Sequence, residues 1–267
     1  MDLKIFDVEH GQCALLEADN GARLMIDCGH NASNNWYPGA YLKDRGINAL
    51  EMLAVTNLDE DHVSGLDDLL DEVDVKWLWR NNLLTPAHIK EMKKEHGMGP
   101  GVERFVDAIK NVFTGTGTNY PVFQGLERRA FCNSPGDFDD SNNLSTVYHL
   151  KCHNVGFMFP GDLETAGWLK LLEREDFQQA LKQTHVLIAS HHGRENGICE
   201  EIFAYTKPFY IVISDKGYAH ETQETMAYYY GESRGGPFRS QGKRYVLTTR
   251  NDGRIGFAIA PNNWHAY

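Results

Sequence analysis

Thr56-Asn57-Leu58-Asp59-Glu60-Asp61-His62 is the stretch on which the reading of this 267-residue chain turns. The apolar run before it, residues 51–55, predicts a buried strand, and residues 63–70 behind it predict a helix. Side chains two apart in an extended loop can converge on a point, so Asn57, Asp59 and Asp61 can share a target. Asp61 and His62 add two adjacent donors. Carboxylates and imidazole are what a hard or borderline divalent cation needs. The same residues also suit a solvated acidic turn capping the helix, since Asp favours helix N-termini.

Three other stretches place polar residues where an apolar strand ends. Leu24-Met25-Ile26 runs into Asp27-Cys28-Gly29, where a carboxylate can orient a metal ligand or cap a turn. Phe159-Pro160-Gly161 presents Asp162, either as a ligand or as the N-cap of a helix over 164–174. A strand over 186–189 ends in Ser190-His191-His192-Gly193. Paired histidines at a strand end are uncommon, which favours a ligand role. His191, the first past the strand, is the expected ligand of the two.

Working outward, residues 3–8, 13–17 and 23–26 predict strands, the last two joined by the turn signal Asp19-Asn20-Gly21. Helices are predicted over 37–45, 86–96, 102–113, 177–182, 200–205 and 221–230, and further strands over 73–79, 145–150, 155–159, 209–214, 245–249 and 255–259. Residues 81–119 read as a helical insertion, or lid, within a single domain spanning 1–267. Two sets of strands with helices between them imply a layered α/β architecture.

Composition narrows the field. Hydrophobic residues make up 42% and charged residues 24%, ordinary for a globular protein. A net charge of -11 repels nucleic-acid phosphates and anionic membranes except where local cations intervene. The five cysteines, Cys13, Cys28, Cys132, Cys152 and Cys199, form no CxxC pair and are odd in number. That points to reduced thiols in a cytoplasmic protein. The early alternation of Asp2-Leu3-Lys4-Ile5 does not read as a signal peptide, and no apolar run approaches the roughly 20 residues that span a bilayer.

Taken in order, these stretches resemble the metallo-β-lactamase superfamily, and within it the soluble domain of ComEC-type competence proteins and their stand-alone relatives. The matching residues are Phe6-Asp7-Val8-Glu9-His10-Gly11-Gln12-Cys13-Ala14, Ile26-Asp27-Cys28-Gly29, Thr56 to Leu66, Asn143-Leu144-Ser145, Gly161-Asp162 and His191-His192-Gly193. The resemblance implies an αββα sandwich of two mixed sheets with outer helices, and a metal site along their edge. It also shows departures. Asn57 stands where the family motif has its first histidine, Asp59 where it has the second, and Asn143 lies nearest the usual later histidine. His149 sits in an alternating strand and reads as structural.

Carried over residue by residue, the resemblance implies two unequal sites. One, the firm site, uses Asp61, His62, Asp162 and a histidine of the His191-His192 pair. The other, weaker or absent, uses Asp59, Asp162, Asn57 and Asn143 and is oxygen-rich, which favours Mn²⁺ or Mg²⁺ over Zn²⁺. The expected cofactor is Mn²⁺ or Zn²⁺. The implied chemistry is hydrolysis by a metal-bound hydroxide, the ion lowering the pKa of water to about 7. Asp61 would orient or deprotonate that water, and His220 would bind substrate or donate a proton.

The function expected first is a phosphodiesterase or nuclease, since ComEC-like relatives are associated with nucleic-acid cleavage and oxygen-rich sites suit phosphoryl chemistry. Arg194, Lys216, Arg234, Arg239, Lys243 and Arg244 would supply a cationic rim. The acidity favours a small phosphodiester over long duplex DNA. Two alternatives stand beside it: a carboxylic ester or lactone hydrolase, against which Asn57 argues, and a non-catalytic sensor or protein-partner module with a degraded first site.

Overall fold

The computed structural model describes residues 1–115, 120–216 and 225–267. In the first half, strands β1 (Asp2–Ile5), β2 (Ala14–Glu17), β3 (Arg23–Ile26), β4 (Ala49–Leu50), β5 (Met52–Ala54), β6 (Asp74–Val75) and β7 (Leu78–Trp79) alternate with helices α1 (Pro38–Lys43), α2 (Glu60–Val63) and α3 (Leu66–Glu72). Helices α4 (Pro86–Met92) and α5 (Pro100–Asn111) follow. The second half has strands β8 (Leu126–Cys132), β9 (Thr146–Cys152), β10 (Val155–Phe159), β11 (Thr184–Ile188), β12 (Tyr210–Ile213), β13 (Gly236–Pro237), β14 (Lys243–Arg244), β15 (Val246–Thr248), β16 (Ile255–Ala260) and β17 (Asn263–Ala266). Its helices are α6 (Thr165–Leu172), α7 (Glu175–Lys182), α8 (Met226–Glu232) and α9 (Thr249–Asp252).

Two sheets result. One runs β17-β16-β1-β2-β3-β5-β7 and the other β15-β12-β11-β10-β9-β8. Both are mixed: β3, β5 and β7 pair in parallel, as do β10, β11, β12 and β15, while the remaining ladders are antiparallel.

Side-chain alternation explains the layering, because successive residues of a strand point to opposite faces. Leu24 and Ile26 join Phe157, Phe159, Val186, Ile188 and Val212 in a core between the sheets. Their neighbours Met25, Leu15 and Leu53 face outward and pack with Leu66, Leu69 and Phe105 of the helices. On the other side Met158, Leu187 and Ile211 pack with Trp168, Leu171 and Phe177. Three apolar layers therefore separate four structural ones, giving an αββα sandwich. Strands buried on both faces read as continuous apolar runs, which is why β10, β11 and β12 stand out in the sequence.

The structure departs from the predicted elements at several points. Residues 73–79 are two strands, because β6 pairs with β4 while β7 joins the main sheet beside β5. The helix predicted from residue 63 splits into α2 and α3, with Gly65 as the N-cap of the second. Residues 200–204 form a 3-10 helix rather than an α-helix. Edge strands β8 and β17 were not predicted. Among the described residues no helix is long and apolar enough to cross a membrane.

Candidate metal centre

The parallel strands end along one edge of the sandwich, and the loops leaving them carry the polar residues. Four side chains meet there: Asp61 and His62 after β5, Asp162 after β10, and His192 after β11. One donor atom from each lies within 4.8 Å of all the others. Asp162, His62 and His192 are buried, while a quarter of the Asp61 side chain reaches solvent. The group is open on the Asp61 side.

The two histidines of the group are held from behind. Asp27, fully buried at the end of β3, accepts a hydrogen bond from His62 Nδ1 at 2.8 Å and others from the Thr56 backbone and hydroxyl. That fixes the tautomer and leaves His62 Nε2 facing Asp162 Oδ1 at 3.0 Å. His192 Nδ1 donates to the Ser214 carbonyl at 2.9 Å, which turns its Nε2 toward Asp61 Oδ2 at 3.2 Å and Asp162 Oδ1 at 3.3 Å. The backbone is shaped for the purpose. Asp27, His191 and His192 all have left-handed φ values, at 55°, 50° and 55°, a conformation costly for non-glycine residues and concentrated at functional sites. A Cβ on Gly11 would sit 2.3 Å from the Asp61 carbonyl oxygen, so only glycine lets that loop close over the ligand.

The donor set fits a divalent cation. Two imidazole nitrogens and two carboxylates suit zinc, manganese or iron. His192 Nε2 is buried between two carboxylate oxygens yet meets the geometry of a hydrogen bond with neither. In the cation-free protein, protons balance the carboxylates. Burial opposes charge on His192, but Asp162 and Asp61 outweigh it and push its pKa up to about 10. His62 is raised well above its ordinary value in the same way by Asp162 and Asp27, again against burial. Burial works to raise Asp61 and Asp162, but the two histidines overrule it and hold both carboxyls below the usual range. A bound cation would take over the role of those protons.

The other residues expected at the centre have different partners. Asp59 is claimed by the Lys93 ammonium from just after α4 and accepts from Ser141 Oγ at 2.8 Å. Asn57 donates to Ser145 Oγ at 3.0 Å, and its Oδ1 accepts from the Asp59 backbone N–H. Asn143 is spent on Asp140 and on the Gly167 N–H. None of the three enters the four-donor group. His191 stands outside it too: the left-handed turn sends its ring toward Glu164, at 3.7 Å, while the next residue swings inward. The structure thus puts His192, not His191, in the group. His220 lies outside the described residues.

Two features went unremarked in the sequence. His10, in a loop after β1, has its ring centre 4.3 Å from that of His192, the planes tilted by 49°, and its Nε2 3.8 Å from Asp61 Oδ2. Burial, then the charge of His192, push its pKa down to about 4, so the ring is neutral. Glu60, between the two halves of the motif, accepts from the Gly101 and Val102 N–H groups at the start of α5 and ties that helix to the loop. The expected cationic rim does not form. Lys216 pairs with Glu9, Arg244 with Asp252, and Arg239 bonds backbone carbonyls. Arg234 and Lys243 lie over the aromatic rings of Phe209 and Tyr245. Arg194 alone of the six contacts residues around the centre.

Comparison with known proteins agrees with this geometry. Residues 6–194 match the family model of the metallo-β-lactamase superfamily. ComE operon protein 3 of Bacillus subtilis (strain 168) is 25% identical over 244 residues, which cover 84% of this chain; the chain spans only 30% of that protein's length. Among solved structures, a CmlA β-hydroxylase mutant matches 97% of this chain and 54% of its own with a TM-score of 0.52 at 12% identity, a likeness of fold. A diphosphatase from the PhnP family covers 97% and 98% of the two chains with a TM-score of 0.48 at 11% identity. The chain belongs to the metallo-β-lactamase superfamily and is similar within it to a ComE operon protein.

Proposed function

We propose that the chain hydrolyses phosphodiesters, with Asp61, His62, Asp162 and His192 holding one divalent cation. The observation that carries the reading is the four-donor group itself, half carboxylate and open beside Asp61. A divalent ion in such a set activates water and offsets charge on a phosphoryl oxygen. Asp61 is the ligand that solvent reaches, which suits it to orient the attacking water. Asp27 and the Ser214 carbonyl keep the two imidazoles aimed at the ion.

Charge favours a small phosphodiester over a duplex. Beside Asp59 runs a groove of about 1030 Å³ whose walls carry Glu60, Glu91, Glu95, Asp139 and Asp140 among their residues. Lys93 and Lys94 offset only part of that charge, so a long polyanion would be repelled along the groove. We read residues 1–267 as one hydrolase domain, with 81–119 an insertion fastened to the metal loop through Glu60 and Lys93. Cytoplasmic placement is part of the same proposal.

One assay tests the reading. Labelled single- and double-stranded DNA, RNA and a chromogenic phosphodiester are offered with Mn²⁺, Zn²⁺ or EDTA, to the wild type and to Asp61→Ala. Turnover of the small diester that disappears with EDTA and with the substitution is the expected result. Intact ion binding with no phosphodiester turnover under any condition would sink the proposal and favour a sensor or partner module.

A further inference from the structure

Among the described residues Arg194 is the arginine whose guanidinium is held by two imidazole rings. It follows the two left-handed histidines after one residue, Gly193, and its backbone N–H is pinned to the His191 carbonyl at 3.0 Å. Its guanidinium donates to His10 Nε2 at 3.2 Å and reaches His191 Nε2 at 3.4 Å. Both are ring nitrogens, not carboxylates. Among the described residues Arg194 has no acidic partner, and its Nε is buried without a hydrogen-bond acceptor. The His10 ring in turn lies against His192 and within 3.8 Å of Asp61. A permanent positive charge is thus held beside the metal group, one ring's width from two of its ligands, with a desolvated donor lacking an acceptor.

Buried donors are almost always satisfied, and an arginine fork matches the paired oxygens of a phosphate. Imidazole rings flank the guanidinium and steady it from two sides. A carboxylate there would have neutralised it.

We propose that Arg194, steadied by His10 and His191, is the substrate-anion subsite of this centre and takes the non-bridging oxygens of a phosphoryl group presented to the metal group. This rests on the phosphodiester reading and sharpens it: the substrate must carry a negative charge at the atom attacked. Arg194 would bind that charge in the ground state and strengthen its hold as charge builds during attack.

The test uses the full chain loaded with Mn²⁺. Ion content, thermal midpoint and affinity for inorganic phosphate are measured for the wild type, Arg194→Gln and Arg194→Lys, with KM and kcat for bis(p-nitrophenyl) phosphate and its neutral methyl triester. A lost charged hydrogen bond predicts that phosphate affinity falls about 10- to 100-fold in Arg194→Gln. The preference for diester over triester should shrink by a similar factor, with ion content kept and partial recovery in Arg194→Lys. Phosphate affinity equal to wild type, or loss of the ion in Arg194→Gln, would overturn the proposal. Should Arg194→Gln fail to fold, Arg194→Lys carries the test: a single ammonium should still lose at least about threefold in phosphate affinity, and no loss would overturn it. If the wild type turns over no phosphodiester while phosphate affinity still depends on Arg194, the phosphodiester reading fails and the anion subsite stands.

Discussion

Asn57-x-Asp59 and Asp61-His62 are two ends of one seven-residue segment, and they have opposite fates. The Asp61-His62 end points into the edge of the sandwich and meets Asp162 and His192. The Asn57-Asp59 end is bound to protein: Ser145 and Ser141 on one side, Lys93 on the other. Spacing alone would let all of them converge. What separates them is whether the rest of the chain supplies a competing partner. Lys93 is that partner for Asp59, a cation built into the polypeptide where the family resemblance places a metal ligand.

The sharpest way to break this contrast is to delete one carboxylate from the four-donor group that the Asp61-His62 end joins and one from the Asn57-Asp59 end. Asp162→Ala should strip the protein of its ion, with turnover down about a thousandfold, the loss of roughly 4 kcal/mol of transition-state stabilisation. Asp59→Ala should keep the same ion content by elemental analysis. Two tightly held zinc ions in the wild type, falling to one in Asp59→Ala, would erase the distinction. Next in size is Asp27→Asn, which loosens His62 without touching the ion and should weaken metal affinity about 10- to 100-fold in a competition titration.

Proton release marks the four-donor group in another way. His192 is raised to about 10 without a cation, so at neutral pH its ring holds a proton that a metal must displace. Metal affinity should therefore rise with pH and fall as the solution is acidified, by up to about tenfold per unit for each proton displaced. Calorimetry in buffers of different ionisation enthalpy counts those protons; none released would contradict the raised value. The smallest effects belong to the insertion. Glu60→Ala removes the anion at the start of α5 and should cost about 1 kcal/mol in denaturant unfolding. Lys93→Ala, at a partly exposed pair, should cost less than about 1 kcal/mol. A second ion bound by Lys93→Ala would show that the lysine had been standing in for it.

Much of this was legible in the residues. Strands buried on both faces announce themselves as apolar runs, and each site residue found from sequence sits just past such a run. Strand β8 did not, because Leu126–Cys132 is an edge strand in which only Phe131 is buried and which carries Glu127, Arg128 and Arg129. The choice between His191 and His192 also escaped pattern reading. It depends on two consecutive left-handed residues, which reverse the side on which each ring emerges, a conformation no sequence spacing specifies. His10 was inside a matched stretch but has no local pattern of its own. Its role comes from a contact with a residue 182 positions later, visible only once both sheets are in place.

That long reach has a consequence for how the molecule comes apart. Asp61 and His62 hang from one sheet, Asp162 and His192 from the other, so an ion held among them is a rivet through the seam of the sandwich. It can form only late, after both halves have docked, and it must let go before they part. Chelation should therefore speed unfolding as well as silence the site, and the metal would act as the molecule's own report that it has finished folding.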